Sequence, residues 1–427
     1  SSFARGIIDA PVAPPEPQFL VAGSHYTVRP RGAARFIAAE LPGPLAVASW
    51  VYPYGVDDDP FVCDAIRARI WSVRIAGMDF DAYCSNDFVW VDVAAPAARF
   101  ERDAALVFDW LDHGIPSESE LNGHIERALA AREARRDSAA HRNPAFHAWA
   151  LRGDAAIQAH MPSDAELRRG GPARLVEALE RVDARAADVL YAGPGVERIA
   201  ALVPEAPGKA AAVRTAAKLR AVPRDRIYVL DDPDREDIDV RISLPWPDLD
   251  PRTSLAAQIH STAVAELSAE GPPSLALRWV STPWWATIHP LAFHVEYFGR
   301  PEDAALAVTT GIGVLREPVP AARLEAERRR LEGSFRAHRT EMRRIPEVVR
   351  LWGVTTDPRV AEWLALPSLE AADMQRFYAA LAEHRVVVSI VGDVRRLDLA
   401  ALAGHGDVVQ LDQDAVREIL RDPNGSD

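Results

Sequence analysis

Two spacings of apolar residues organise the chain. Leu324, Leu331, Phe335, His338 and Met342 fall at intervals of 7, 4, 3 and 4. That is one stripe of an amphipathic helix, with Arg and Glu filling a solvated remainder. Phe36–Tyr52 and Ile227–Pro245 each read as two strands joined by a turn, with Pro and acidic residues breaking the pattern. Ala187–Gly193 and Arg385–Asp393 are β-rich runs stopped by glycine.

These runs belong to an internal repeat. DAALVFDWLDHGIPSESELNGHIERALAAREARRD, from Asp103, has a counterpart 200 residues later in DAALAVTTGIGVLREPVPAARLEAERRRLEGSFRAHR, from Asp303. In both, an apolar helical stretch leads through a Pro-containing turn into a long Arg/Glu-rich helix. Three matches in the same order predict an α+β fold of two tandem homologous domains, each a mostly antiparallel sheet with helices packed on one face. The Pro/Ala/Lys-rich stretch ALVPEAPGKAAAVRTAAKLRAVPRD, after residue 200, marks the boundary. The expected division is an extension over 1–20, a first domain over 21–207 and a second over 208–427.

Composition narrows the function classes. A net charge of −13 over 427 residues has the wrong sign for a dedicated binder of nucleic acid or anionic membrane. No apolar run reaches membrane-spanning length. Cys63 and Cys84 are the only cysteines, which excludes a disulfide scaffold and a cysteine-based zinc site. SSFARGIIDAPVAPPEP has no signal-peptide pattern, so the expected compartment is the cytoplasm. The chain does not begin with Met, and removal of an upstream segment would make the periplasm the alternative.

The usual catalytic signatures are missing. There is no HxxEH, HxH, CxxC, GxSxG or P-loop. His289 and His294 flank Pro290 at a spacing that suits neither a helix nor a strand, and both read as structural. His141 and His147 read the same way, with Pro144 interrupting any helix between them. GPG at 193–195 should end a strand and GIG at 311–313 should open a turn. The acidic run Asp231–Asp237 reads as a solvated turn. A serine, a histidine and an aspartate scattered in sequence can still converge in space, but nothing in the sequence favours such a site.

LAVASWVYPYGVDDDP, YFGRPEDAALAV and RVVVSIVGDVRRLDLAALAGHGDVVQLD give the chain a diffuse resemblance to the M16 metallopeptidase family, the pitrilysin and mitochondrial-processing-peptidase-like (LuxS/MPP-like) fold. In active members of that family, the first strand pair leads into a helix bearing HxxEH, which binds zinc together with a downstream glutamate. Here that helix corresponds to FVCDAIRARIWSV, and the metal-binding stretch falls near Ala65–Arg69, which reads AIRAR. It contains no imidazole or carboxylate, and Arg67 and Arg69 would repel a dication.

The resemblance therefore implies a catalytically degenerate subunit with no cofactor of its own, zinc being expected only in an HxxEH-bearing M16 partner. Two such subunits enclose a chamber that holds a peptide, a setting that matches maturation of a ribosomally made peptide or cofactor precursor. In bacterial pairs, a stretch resembling LRExRGLAYS grips the substrate. LRWVSTPWWAT, Leu277–Thr287, is its nearest match, so Arg278 is the expected arginine and Trp285 stands in the tyrosine position. The segment preceding it is AELSAEGPPS rather than glycine-rich. Alternatives are a scaffold with this fold and no proteolytic role, the inactive second half of a longer single-chain peptidase, and an autonomous hydrolase.

Overall fold

The computed structural model describes residues 15–73, 77–136, 138–153, 156, 160–206, 219–245, 250–269, 277–280, 292–353 and 356–412. Two six-stranded mixed sheets form the frame. The first contains β1 (Thr27–Arg31), β2 (Ala34–Glu40), β3 (Leu45–Tyr52), β4 (Asp79–Cys84), β5 (Val89–Pro96) and β6 (Asp188–Gly193), in the spatial order β1-β2-β6-β3-β5-β4. The second contains β7 (Arg226–Asp231), β8 (Ile238–Pro245), β9 (Leu277–Val280), β10 (Ala292–Gly299), β11 (Val387–Gly392) and β12 (Asp407–Leu411), in the order β12-β7-β11-β8-β10-β9.

Five strand positions correspond one to one, as the sequence repeat predicts, and most pairings are antiparallel. The predicted strand pairs do not lie side by side, however. β6 inserts between β2 and β3, parallel to the first and antiparallel to the second, and β11 does the same between β7 and β8. All six residues of β11, VVSIVG, are buried, which explains why this strand reads as a nearly continuous apolar run rather than an alternating one.

The main helices are α1 (Val62–Ser72), α2 (Ala97–His113), α3 (Glu118–Arg136), α4 (Ala139–Arg152), α5 (Asp164–Asp183) and α6 (Val196–Leu202). They are followed by α7 (Pro251–Ala269), α8 (Ala304–Arg316), α9 (Leu324–Ala337), α10 (Ile345–Trp352), α11 (Arg359–Ala365), α12 (Ala371–Glu383) and α13 (Leu399–Ala403). In the first unit Phe100, Val107, Leu175 and Leu179 pack over Phe36, Trp50, Val91 and Tyr191. In the second, Leu255, Ile259, Val308 and Phe377 pack over Val229, Ile242, Val295 and Val388.

The opposite sheet faces are covered by exchange. Phe146, Ala150 and Leu151 of α4 pack on Tyr228, Leu230, Val387 and Val391 of the second sheet. Reciprocally, Ile345 and Val349 of α10 pack on Ile37, Ala39, Val51 and Leu190 of the first. The N-terminal strap joins this exchange: the Leu20 amide donates to Asp357 (3.0 Å), Arg336 donates to the Pro15 carbonyl (3.1 Å), and Phe19 packs against the second core.

Several local expectations change in this context. Helix α4 runs through Pro144. An interior proline costs a helix about 3 kcal/mol, and burial of Phe146 and Leu151 offsets it. GIG at 311–313 lies inside α8 rather than opening a turn, and a Cβ on Gly311 would fall 2.2 Å from Ile242 Cδ1, so the glycine permits close helix–sheet contact. The stripe beginning at Leu324 stops at Ala337. His338 is extended, and Met342, 57% exposed, has no core to meet. Within the acidic run, Asp232 is buried and pairs with Arg142 of α4, so this part of the turn is an anchor rather than solvated.

Buried ionisable groups set an acid limit on stability. Burial pushes His260 of α7 down from 6.5 to about 4, against an opposing pull from the Leu315 carbonyl. Its contribution is therefore full above pH 6.5 and is lost as pH falls toward 4, up to about 3 kcal/mol. Glu362 has the opposite sign: burial raises it from 4.5 to about 7, so its contribution is lost as pH rises through 7. Urea unfolding of the parent and His260→Gln between pH 7 and 4 isolates the first effect. The parent should lose more stability than the variant over that window.

Candidate functional site

The helix predicted to carry the degenerate metal stretch is present as α1. Spacings of three and seven put Asp64, Arg67 and Trp71 on one face, toward α3 and β4. His124, Arg127, Ala131 and Arg135 follow the same rule on α3. Together they enclose a cavity of about 340 Å³, walled further by Ile70, Phe80 and Ala82.

At its floor, buried Asp64 accepts from Arg132 at 2.8 Å and lies 3.4 Å from His124 Nε2. Arg132 also donates to the Pro162 carbonyl (2.9 Å) and reaches Asp164 at 3.4 Å. Burial alone would raise the Asp64 carboxyl, but Arg132 and His124 hold it down, at about 2. Trp71, 54% exposed, stands at the rim with the Arg127 guanidinium 4.7 Å from its ring centre.

Arg69, expected to face a metal, points instead into the core. It pairs with Asp183 through both terminal nitrogens (2.6 and 2.7 Å) and donates to the Leu111 and Gly114 carbonyls at the end of α2. The cations on the cavity side are Arg67 and, from α3, Arg127, Arg132 and Arg135. These residues do not fit a zinc ion. A guanidinium occupies the carboxylate that would be its first ligand, and among the described residues no group of three His, Cys, Asp or Glu side chains is placed to hold a metal.

The two cysteines also meet here. Cys63 of α1 and Cys84 of β4 form a buried disulfide with a Cα–Cα distance of 5.9 Å, tying the cavity's helix to its strand. Two cysteines 21 residues apart carry no multi-bridge pattern, yet they form one crosslink.

Of the two residues predicted to grip peptide, Arg278 lies on β9 as the register partner of Glu296 on β10. Trp285 lies outside the described residues. Glu296 is already paired with Arg241 of β8 through Nε at 2.8 Å. Nearby, Ser389, His147 and Asp239 do converge: Ser389 Oγ is 2.6 Å from His147 Nδ1, and Nε2 is 3.2 Å from an Asp239 oxygen. All three are buried between α4 and the sheet, where no substrate reaches, so this is an anchor for the exchanged helix. His294, hydrogen-bonded to Ser243 at 2.8 Å and pushed down to about 3 by burial, is structural as expected.

With duplicated mixed sheets and helices packed on both, the geometry defines a two-unit α+β architecture. Comparison with solved structures makes this specific: the chain has the fold of M16-like peptidases. The first half of the periplasmic protease PqqL from Escherichia coli matches at a TM-score of 0.61 and 14% identity, with 96% of this chain and 98% of that one covered. Against the longer PqqL chain the TM-score is 0.60 at 12% identity, covering 90% of this chain and 48% of that one. An inactive M16 peptidase domain from Pseudomonas fluorescens matches at 0.56 and 15% identity, covering 86% and 98%. The ferredoxin protease FusC, solved with Arabidopsis ferredoxin, matches at 0.58 and 14% identity, covering 92% and 50%. This chain thus spans about half the length of PqqL and FusC. No protein-family model matches it. No curated protein matches it by sequence.

Removing one member of the buried pair should be costly. Arg132→Ala leaves Asp64 charged and buried, and should lower unfolding free energy by about 3–5 kcal/mol. Asp64→Leu combined with Arg132→Met should recover most of that loss in the same denaturant titration.

Proposed function

We propose that this chain is a non-catalytic M16-type subunit that joins an HxxEH-bearing M16 partner and forms half of a peptide-holding chamber. The observation that carries the reading is the Asp64–Arg132 ion pair buried at the α1–α3 face. Zinc, the activated water and the general base would then come from the partner. Residues 21–207 and 208–427 would act as its two domains. Peptide holding is supported by β4, an edge strand among the described residues that also walls the cavity. Such an edge can pair with an extended substrate. Arg278 would add a charge-assisted contact from the second sheet, and Trp285 would be the second residue of the grip. The setting in view is maturation of a ribosomally made peptide or cofactor precursor.

A second reading has an observation of its own. PqqL and FusC are about twice this length, which favours the inactive half of a longer single-chain peptidase. Both readings predict association with an HxxEH-bearing chain, whereas a pure scaffold does not.

No helix among the described residues is long and apolar enough to cross a membrane. The Cys63–Cys84 disulfide supports an oxidising compartment, and so the periplasmic alternative over the cytoplasmic one.

Affinity purification from native cells, with mass spectrometry of co-eluting proteins, tests the proposal. A near-equimolar HxxEH protein is expected, and recovery of this chain alone would contradict it. In the reconstituted complex, Arg278→Ala should lower kcat/KM about tenfold or more, and unchanged kinetics would remove that residue from the grip. Thiol titration of protein unfolded without reductant should find no free cysteine, and should find two after reduction.

A further inference from the structure

A second cavity, of about 200 Å³, lies where α10 meets the first sheet. Side chains alternate along a strand, so Val91 and Val93 of β5 enter the helix-covered core while Trp90 and Asp92 face the other side. Ser49 on β3 is the register partner of Asp92. From the second unit, the turn into α10 and its first residues close the space with Arg343, Arg344 and Glu347. Val47, Leu190 and Pro346 form an apolar wall.

Of the four charges in this lining, two cancel: Arg344 donates to both oxygens of Glu347, at 2.9 and 3.0 Å. Asp92 has no cation. Its Oδ1 accepts from the Ser49 hydroxyl and the Trp90 indole N–H, while Oδ2 accepts from no described residue and is not sealed from solvent. The charges that act on it, Glu347 and Asp81, are both acidic. Asp81, its register partner on β4, spends one oxygen on the Ala82 amide. Burial pushes the Asp92 carboxyl up, the two hydrogen bonds oppose this, and the neighbouring acids add to the rise. Exposed Arg343 forms no hydrogen bond or ion pair with any described residue, Asp92 included. One carboxylate and one guanidinium therefore face this space unspent.

A complementary ligand is small and carries both charges, an ammonium for Asp92 and a carboxylate for Arg343. The volume lies below the range of ordinary ligand pockets, which suits a single amino acid, and the wall suits an aliphatic side chain. From this juxtaposition we propose that the cavity binds a free aliphatic α-amino acid, its ammonium on Asp92 of the first unit and its carboxylate on Arg343 of the second. Bound there, it would clamp the exchanged helix α10 to the first sheet. Such binding needs no partner subunit, so this reading and the proposed partnership can fail separately.

The test is calorimetric titration of the purified full chain with L-leucine, N-acetylleucine and leucine amide. Leucine should bind at least about tenfold more tightly than N-acetylleucine, which lacks the ammonium, or leucine amide, which lacks the carboxylate. Arg343 is exposed, so Arg343→Ala should keep the parent's circular dichroism and melting temperature. It should weaken leucine at least about tenfold and leave leucine amide unchanged. Asp92→Asn, which keeps an oxygen for Ser49 and Trp90, should weaken leucine and leucine amide alike. No detectable binding of leucine, equal affinity for the three compounds, or undiminished binding by Arg343→Ala would overturn the proposal. Leucylglycine binding as tightly as leucine would overturn the free amino acid in favour of a peptide amino terminus.

Discussion

Each sheet of this protein must be covered on both faces, and most of the architecture follows from that requirement. Inserting β6 between β2 and β3, and β11 between β7 and β8, places strands with two apolar faces at the sheet centres. The principal helices cover one face only. The other is closed by a helix from the opposite part of the chain: α4 on the second sheet, α10 on the first. The polar contacts Arg142–Asp232, His147–Ser389 and Leu20–Asp357 tie the exchanged segments in place. Buried hydrogen bonds of this kind specify one arrangement more than they add stability.

Within that frame, the α1–α3 face holds a buried ion pair between Asp64 and Arg132. Asp64 could be a metal ligand by its chemistry, but it is consumed by Arg132, and its low proton affinity reflects how fully the pair is satisfied. The Cys63–Cys84 crosslink beside Asp64 and the Arg69 fork behind it hold α1 rigidly. The helix therefore presents Arg67 and Trp71 to the cavity in a fixed geometry.

Much of the fold was legible in the sequence because the repeat is a local signal. The runs FIAAELPGPLAVASWVY and IYVLDDPDREDIDVRISLP, and their glycine-stopped counterparts, mark strands through neighbouring residues alone. What was not legible depends on distant pairing. No local pattern tells β6 to part β2 from β3, or α4 to continue through Pro144 because a sheet waits for Phe146. At the site, counting along AIRAR located the helix, yet the buried acid of the ion pair, Asp64, lies one residue earlier. Its partners His124 and Arg132 come 60 and 68 residues later. The spacing of His124, Ala128 and Arg132 along one helical face, opposite an acid embedded in the apolar run VCDAI, was the available signal.

The central claim is that a fixed ion pair, and not a metal, occupies the α1–α3 site. Equilibrium dialysis of the purified chain against zinc, followed by metal analysis after gel filtration, addresses it directly. The account predicts that no stoichiometric zinc is retained, by the parent or by Asp64→Ala. One retained equivalent in the parent, absent from Asp64→Ala of unchanged fold, would contradict it.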